Sequence, residues 1–439
     1  MPSRKVDKFS FELFILTGGN FLKKRRGLFL LLISLIVGLV VSACSSNETS
    51  SKKEEGESKS TVQGVTDKEI LVGTLGPQTG PAAAFDTIRK GLDSYIKYVN
   101  ENGGVHGRQI KLIAYDDQYQ PAKTVQLAKR LVEEDKVFAM TATVCTACTK
   151  AALPYYQEQG IPLIMVGSGA DVFVNPPSEN IIGEYAINYG IEAKVFLDYA
   201  VNELGAKKIA IAYQNDDFGK EGFNAVKETV KKYDGVEIVE EVNYLASDVE
   251  FSSHAQKLKD ANPDAVLAFS SMAPTANLKK AMHKIGLDKP AFLVANPGAS
   301  NPEVFKLAGE DVWEGTISAS PVPLMSMTDN KHLELYKEQV SKYYPKEPLG
   351  GATQLGFAAG QVFVEGLERA GKDLTKEKFL EAFYTFENWD GSLFTGITFN
   401  KDNHYGITKF FLMQAQNGDY SKLTDTITYD PISGEIEYE

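Results

Sequence analysis

The chain has 439 residues, with 46 Lys and Arg against 58 Asp and Glu, a formal charge of −12. That acidity argues against nucleic acid as a partner, and the length exceeds what one hydrophobic core holds, which predicts two lobes. No GxSxG, HExxH or Walker loop is present and none of the five histidines stands in a motif, so the residues argue against an enzyme, a metal centre and a bound cofactor.

At the N-terminus, Lys23, Lys24, Arg25 and Arg26 precede an apolar stretch from Leu28 to Val41 that closes in Ser42-Ala43-Cys44. A charged region, an apolar region and small residues at a cut make a secretory signal. About 16 residues at 1.5 Å each reach roughly 24 Å, short of the ~30 Å hydrocarbon core, so a membrane span fits less well. The order aliphatic-small-small-Cys resembles the lipobox of bacterial lipoproteins. The resemblance implies that residues 1–43 are removed and that Cys44 becomes a lipidated N-terminus at the outer face of the cytoplasmic membrane, extracellular in a Gram-positive-type cell. Two or more acyl chains suffice for stable anchoring. Residues 1–21 are a long extension containing Asp7 and Glu12. Codons for Thr17-Gly18-Gly19 can spell a purine-rich ribosome-binding element, which makes Leu22 an alternative start that the nucleotide sequence decides.

Cys44 is followed by SSNETSSKKEEGESKS. This stretch lacks the apolar side chains needed to offset ordering entropy, so residues 44–64 read as a flexible tether. Without the leader, 39 Lys and Arg face 56 Asp and Glu, a net charge of −17.

From Glu69 the chain alternates apolar runs of strand length with helical patterns. EILVGTL reads as a strand, residues 86–102 as a helix stopped by Gly103-Gly104, RQIKLIAYDD as a strand, and PAKTVQLAKRLVEED as a helix with Pro121 in its first turn. VFAMTAT, a helix over about 146–159, and IPLIMVGS continue the rhythm. After a helix near 188–204 the pattern restarts with KKIAIAY, a helix over 219–233, VEIVEEVNY, a helix over 252–261, DAVLAFS, a helix over 275–285, and PAFLVAN. WEGTISASPVP, helices near 331–343, 353–370 and 376–385, and strands at ITFN and KFFLMQA finish the chain. Alternating β and α elements predict parallel sheets covered by helices. The tail holds too few strands for a third domain and is expected to complete the first two.

Cys145 and Cys148 have C-x-x-C spacing. Without the Trp or Pro of thioredoxin-like sites, a local disulfide or two packed thiols is favoured over redox catalysis or zinc. Gly103, Gly104, Gly107 and the Asp116-Asp117 pair are explained by turns and strand-end capping.

TLGPQTGPAAAF, YVNENGGVHGRQIKLIAYDDQYQPAKTVQLAKRLVEEDKV, IPLIMVGSG and IAYQNDDFGKEG resemble, in order and spacing, the Leu/Ile/Val-binding group of solute receptors for ABC importers, over essentially all of residues 66–439. The resemblance implies the type I periplasmic-binding-protein fold: two Rossmann-like lobes, a three-stranded interlobe hinge and a solute in the cleft between lobes. Lobe 1 is expected over 65–187 plus 320–390, lobe 2 over 188–319 plus 391–439. The implied role is capture of a small carboxylate-containing solute, such as an amino acid, aromatic acid or amide, by a monomer that delivers it to the permease and ATPase complex. A ligand-sensing subunit for a membrane receptor is the alternative.

Ligands of open α/β sheets sit beyond the carboxyl ends of the strands. There, Cys145-Thr146-Ala147-Cys148-Thr149 leads into a helix start, where free N–H groups favour an anion. The resemblance places Cys148 where a ligand-binding hydroxyl is usual, with Thr149 beside it. It also places Gly167, Ser168 and Gly169 at the segment that meets a solute amino group, and Phe85 and Phe218 at positions of aromatic rings over the ligand. Met272 falls at another aromatic position, and Asn296 at the position of a glutamate that pairs with an α-ammonium group. A cleft with Asn296, Phe218 and Met272 is less polar and less acidic, which favours an uncharged or aromatic carboxylate, or an amide, over leucine, isoleucine or valine. Asp86, Asp171, Asp216 and Asp217 are the neighbouring carboxylates that could restore the charge.

Overall fold

The computed structural model describes residues 62–439. Cys44, the leader and the tether up to residue 61 lie outside the described residues. Residues 62–64, expected within the tether, are fixed instead. Gln63 Nε2 donates to the carbonyls of Val132 (3.3 Å) and Val137 (3.0 Å). Gly64, at φ 76°, lies so close to the Phe138 backbone that a Cβ would stand 2.3 Å from its nitrogen.

The first sheet comprises β1 (Glu69–Gly76), β2 (Gln109–Asp116), β3 (Ala139–Thr141), β4 (Leu163–Val166) and β5 (Ile181–Glu184), all parallel in the order β2-β1-β3-β4-β5. The second opens with β6 (Lys208–Gln214), β7 (Glu237–Tyr244), β8 (Ala265–Phe269), β9 (Ala291–Val294) and β10 (Ile317–Ser320), parallel in the order β7-β6-β8-β9-β10. The two lobes thus repeat one winding. The tail adds β11 (Lys409–Gln416), β12 (Asp419–Lys422), β13 (Ile427–Tyr429) and β14 (Ile436–Tyr438) to the second sheet, β11 running antiparallel to β10.

Strands such as β8, with every residue buried, read as unbroken apolar runs because helices cover both faces. In the first lobe these are α1 (Asp86–Glu101), α2 (Pro121–Glu133) and α3 (Thr146–Glu158). The second carries α4 (Tyr189–Asn202), α5 (Asp217–Thr229), α6 (Ser252–Ala261), α7 (Met272–Lys284) and the short α8 (Asn296–Ala299), α9 (Glu303–Ala308) and α10 (Glu310–Trp313). Helices α11 (Lys331–Tyr343), α12 (Gly351–Ala370) and α13 (Lys376–Phe383) return to the first lobe. Their starts follow capping chemistry: Asn188 Oδ1 accepts from Ile191 N–H at 2.9 Å, Asp216 Oδ1 from Gly219 N–H at 3.1 Å, and Thr375 Oγ1 from Lys378 N–H at 3.2 Å. None of the described helices is long and apolar enough to cross a membrane.

Helices α1 and α12 cross at two glycines. A Cβ on Gly91 would lie 2.0 Å from the Thr353 carbonyl oxygen, and one on Gly356 1.8 Å from that of Ile88. This contact covers the outer face of the first sheet, whose core includes Ile88, Leu92, Phe357 and Phe363. A second core on the outer face of the other sheet centres on Phe292, Trp313 and Met282. A third runs between the lobes through Ala186, Ile187 and Tyr189.

Two expected elements differ. VFAMTAT supplies only the three residues of β3, because Ala142 turns to φ 48° and diverts the chain. ITFN forms no strand; Ile397 makes a single bridge with Trp389, and Phe399 packs edge-on against Phe383 at 6.0 Å. Leu393, Phe394, Ile397 and Phe399 all belong to the first-lobe core, so the chain returns to the second lobe only at β11, later than the expected 390. It passes between lobes three times, after β5, after β10 and before β11.

Candidate functional site

In sheets of this strand order the crevice opens where neighbouring connections diverge, between the first and third strands in sequence. Both lobes turn that edge toward the other. Phe85 follows β1, Val144, Cys145 and Thr146 follow β3, Gly167 follows β4 and Tyr185 follows β5. From the second lobe come Phe218 at the start of α5 and Asn296, Pro297 and Ser300 after β9. Together with Ile88, Tyr119, Ala186, Tyr189 and Leu355 they line a narrow cavity of about 40 Å³.

Several bonds close one lobe on the other. Ala352 N–H donates to the Ser300 carbonyl at 3.0 Å, Asp171 N–H donates to Glu221 Oε1 at 2.9 Å, and Lys150 pairs with Asp217 at 2.7 Å. The rings of Tyr189 and Phe218 meet at 4.5 Å.

At the start of α3, Cys145 is held at φ 90° and its sulfur accepts from Cys148 N–H at 3.1 Å. The Thr146 and Ala147 N–H groups have no acceptor among the described residues. Unpaired N–H groups at the positive end of a helix suit an anion. Thr146 Oγ1 lies 2.9 Å from Ser168 Oγ, which also accepts from Ala170 N–H at 3.0 Å. Gly167 permits this wall: a Cβ there would sit 1.9 Å from the Thr143 carbonyl oxygen and 2.1 Å from the Tyr185 hydroxyl. Burial holds Tyr119, Tyr185 and Tyr189 as neutral phenols, their pKa values raised above the ordinary one.

None of the lining residues, all among the described ones, is charged. The four neighbouring aspartates are engaged elsewhere. Asp86 binds Arg89 at 2.6 Å, Asp171 receives Asn188 Nδ2 at 2.7 Å and the Tyr405 hydroxyl at 2.8 Å, Asp216 caps α5, and Asp217 holds Lys150. A carboxylate absent from the sequence reading stands behind Asn296. Glu192 of α4 is fully buried, and its Oε1 accepts from Asn296 N–H at 2.8 Å. Burial pushes it up to about 8, against the opposing effect of that N–H. Asn296 Nδ2 donates to the Ala319 carbonyl at 2.8 Å, and Asn296 Oδ1 has no partner among the described residues.

Of the residues singled out in the sequence, Phe85, Gly167, Phe218 and Asn296 line this space. Cys148 does not offer a hydroxyl-like group, because its sulfur is bonded to that of Cys145. The Thr149 hydroxyl turns to Thr143 Oγ1 at 3.2 Å. Ser168 supports Thr146 from behind, the Gly169 carbonyl accepts from Tyr189 N–H at 2.8 Å, and Met272 packs in the second-lobe core. Tyr119, Tyr185 and Tyr189 had no motif to mark them; their positions directly after β2 and β5 are the signal that could have done so.

Residues 69–419 match the family model described as periplasmic binding protein. The chain belongs to that family. A curated relative from Pseudomonas aeruginosa, named a leucine-, isoleucine-, valine-, threonine- and alanine-binding protein, is 26% identical over 328 residues, covering 74% of this chain and 85% of its own. A branched-chain amino acid ABC transporter structure from Thermus thermophilus with bound valine superposes with TM-score 0.75 at 23% identity, over 84% of this chain and 98% of its own. An R. palustris ABC transporter solute-binding protein in complex with benzoate gives 0.70 at 20%, over 81% and 95%. Those structures share the two-lobed fold.

Proposed function

We propose that this protein is the extracytoplasmic receptor of an ABC importer and that it captures a small carboxylate whose remaining surface is uncharged. The observation that carries the reading is the start of α3, with the free N–H groups of Thr146 and Ala147, opening into an interlobe space whose lining side chains bear no charge. A carboxylate finds donors there. An ammonium group finds no exposed carboxylate, and an unpaired buried charge is costly. Closure of the lobes over the solute creates the form that the permease engages. The family relatives named for amino-acid binding and the neighbour holding benzoate support carriage of carboxylates, and no motif points to catalysis.

Lipidation of Cys44 belongs to the same proposal, since it keeps the receptor beside its permease. Cys44→Ala is expected to yield unlipidated or uncleaved protein, and mass spectrometry finding an unmodified mature N-terminus elsewhere overturns the anchor. For the ligand, calorimetry compares leucine, isoleucine and valine with their deaminated analogues and with benzoate. The deaminated acids are expected to bind better. Sub-micromolar leucine with weaker binding of its deaminated analogue refutes the proposal.

A further inference from the structure

The cleft does not end at Asn296. That residue and Ser300 also line a second, larger cavity of about 350 Å³ on the far side, bounded by the starts of α9 and α12 and by the β11–β12 hairpin. Leu355 faces the first space and Gln354, its neighbour on α12, the second.

Several polar side chains of the second chamber are engaged by protein groups outside its lining. Ser320 Oγ donates to the Val322 carbonyl at 2.8 Å, Gln354 Nε2 to the Pro323 carbonyl at 2.8 Å, and Trp313 Nε1 to the Tyr420 hydroxyl at 2.8 Å. Asp419 is exposed. What remains is an apolar wall of Phe305, Leu324, Met325, Leu349 and Met413. Where the two chambers meet stands Asn296, 2% exposed, whose Oδ1 lacks a donor among the described residues. A buried acceptor without a partner calls for one.

We propose that both chambers are filled by one elongated ligand, an N-acyl amino acid, with its carboxylate at the start of α3, its amide N–H on Asn296 Oδ1 and its acyl chain in the second chamber. The inference rests on the reading of the first chamber as a carboxylate site. The amide removes the ammonium charge that the lining cannot neutralise and supplies the donor that Asn296 lacks.

The test is calorimetry of the folded protein with N-acetyl-, N-butanoyl- and N-hexanoylglycine, with benzoate as a head-only control and with the ester analogue of hexanoylglycine. Affinity is expected to rise roughly three- to fourfold per added methylene. The ester, which has no N–H, is expected to bind at least about fivefold more weakly than the amide. Leu324→Trp, which fills the second chamber, should erase the advantage of hexanoyl over acetyl and leave benzoate within about twofold. If benzoate or acetylglycine binds but the longer chains gain nothing, or if Leu324→Trp weakens every ligand equally, the elongated ligand is overturned and the carboxylate site stands. If no carboxylate binds at all, the reading of the first chamber falls and this inference falls with it.

Discussion

Replacing Gly356 by alanine sets two effects of known size against each other. In a helix interior, alanine is favoured over glycine by about 0.8–1.0 kcal/mol, so local propensity alone predicts a more stable protein. Packing predicts the reverse. The new Cβ would lie 1.8 Å from the carbonyl oxygen of Ile88 and 2.6 Å from its carbon. Those are backbone atoms of α1, which cannot rotate away, so the two helices must separate. Overpacking of this kind costs about 1–3 kcal/mol, and with the obstruction in the backbone the upper part of that range applies. The net expectation for Gly356→Ala is a loss of about 2 kcal/mol. Gly360, one turn further along α12, is the control: its nearest neighbours are side-chain atoms of Leu92 and Tyr95 at 3.2 to 3.4 Å, which can give by a few tenths of an ångström. Gly360→Ala is expected to be neutral or slightly stabilising. Urea denaturation of the two variants measures the difference. Because Ile88 and Leu355 both face the cleft, Gly356→Ala should also weaken ligand binding. A Gly356→Ala protein as stable as Gly360→Ala would refute the glycine-mediated crossing.

Glu192 gives a pH signature. Its folded pKa is raised from 4.5 to about 8, so its contribution to stability is fully present below about pH 4.5 and is lost as pH rises through 8. Glu192→Gln keeps an acceptor for Asn296 N–H and removes the titration. Its urea midpoint should gain on the wild type between pH 5 and pH 9, and parallel pH profiles would contradict the buried neutral acid. The Cys145–Cys148 bond closes a very short loop, worth about 2 kcal/mol on the chain-entropy account. The double change Cys145→Ser, Cys148→Ser should lower stability by that order and leave insulin-reduction activity at background. Turnover by the wild type that disappears in the double variant would make the pair a redox site.

Much of the fold was legible because period and punctuation agree. The buried run of β8, the proline opening α2 and the restart of the βα rhythm at Lys208 are local signals, and they forecast the two lobes. ITFN misled because alternating apolar residues, Ile397 and Phe399, are also what a bridged loop needs to bury two side chains in an aromatic core. At the site, strand ends marked the loops that border the cleft, and the family resemblance picked out Phe85, Gly167, Phe218 and Asn296 within them. They could not tell which hydroxyl faces inward. Thr149 and Ser168 are polar and correctly placed in sequence, yet each has a partner within the wall, brought to it only by the folded chain. Glu192 was hidden for a different reason: in the helix Tyr189–Asn202 it occupies the apolar stripe with Val195 and Phe196, where a carboxylate reads as a stray surface charge until its acceptor role toward Asn296 is seen.

The uncharged lining of the cleft has a kinetic consequence. The chain carries a net charge of −12, so the proposed carboxylate would meet repulsion at long range and find its compensating donors only after it has entered. Steering of this kind acts on encounter and is screened within about 10 Å at 0.1 M salt. Adding salt should therefore speed capture. Release would depend on short-range hydrogen bonds within the cleft and should hardly respond. A receptor of this design would fill faster in a saline medium than in a dilute one while keeping the same residence time, the opposite of a carrier that draws its anion in through a ring of lysines.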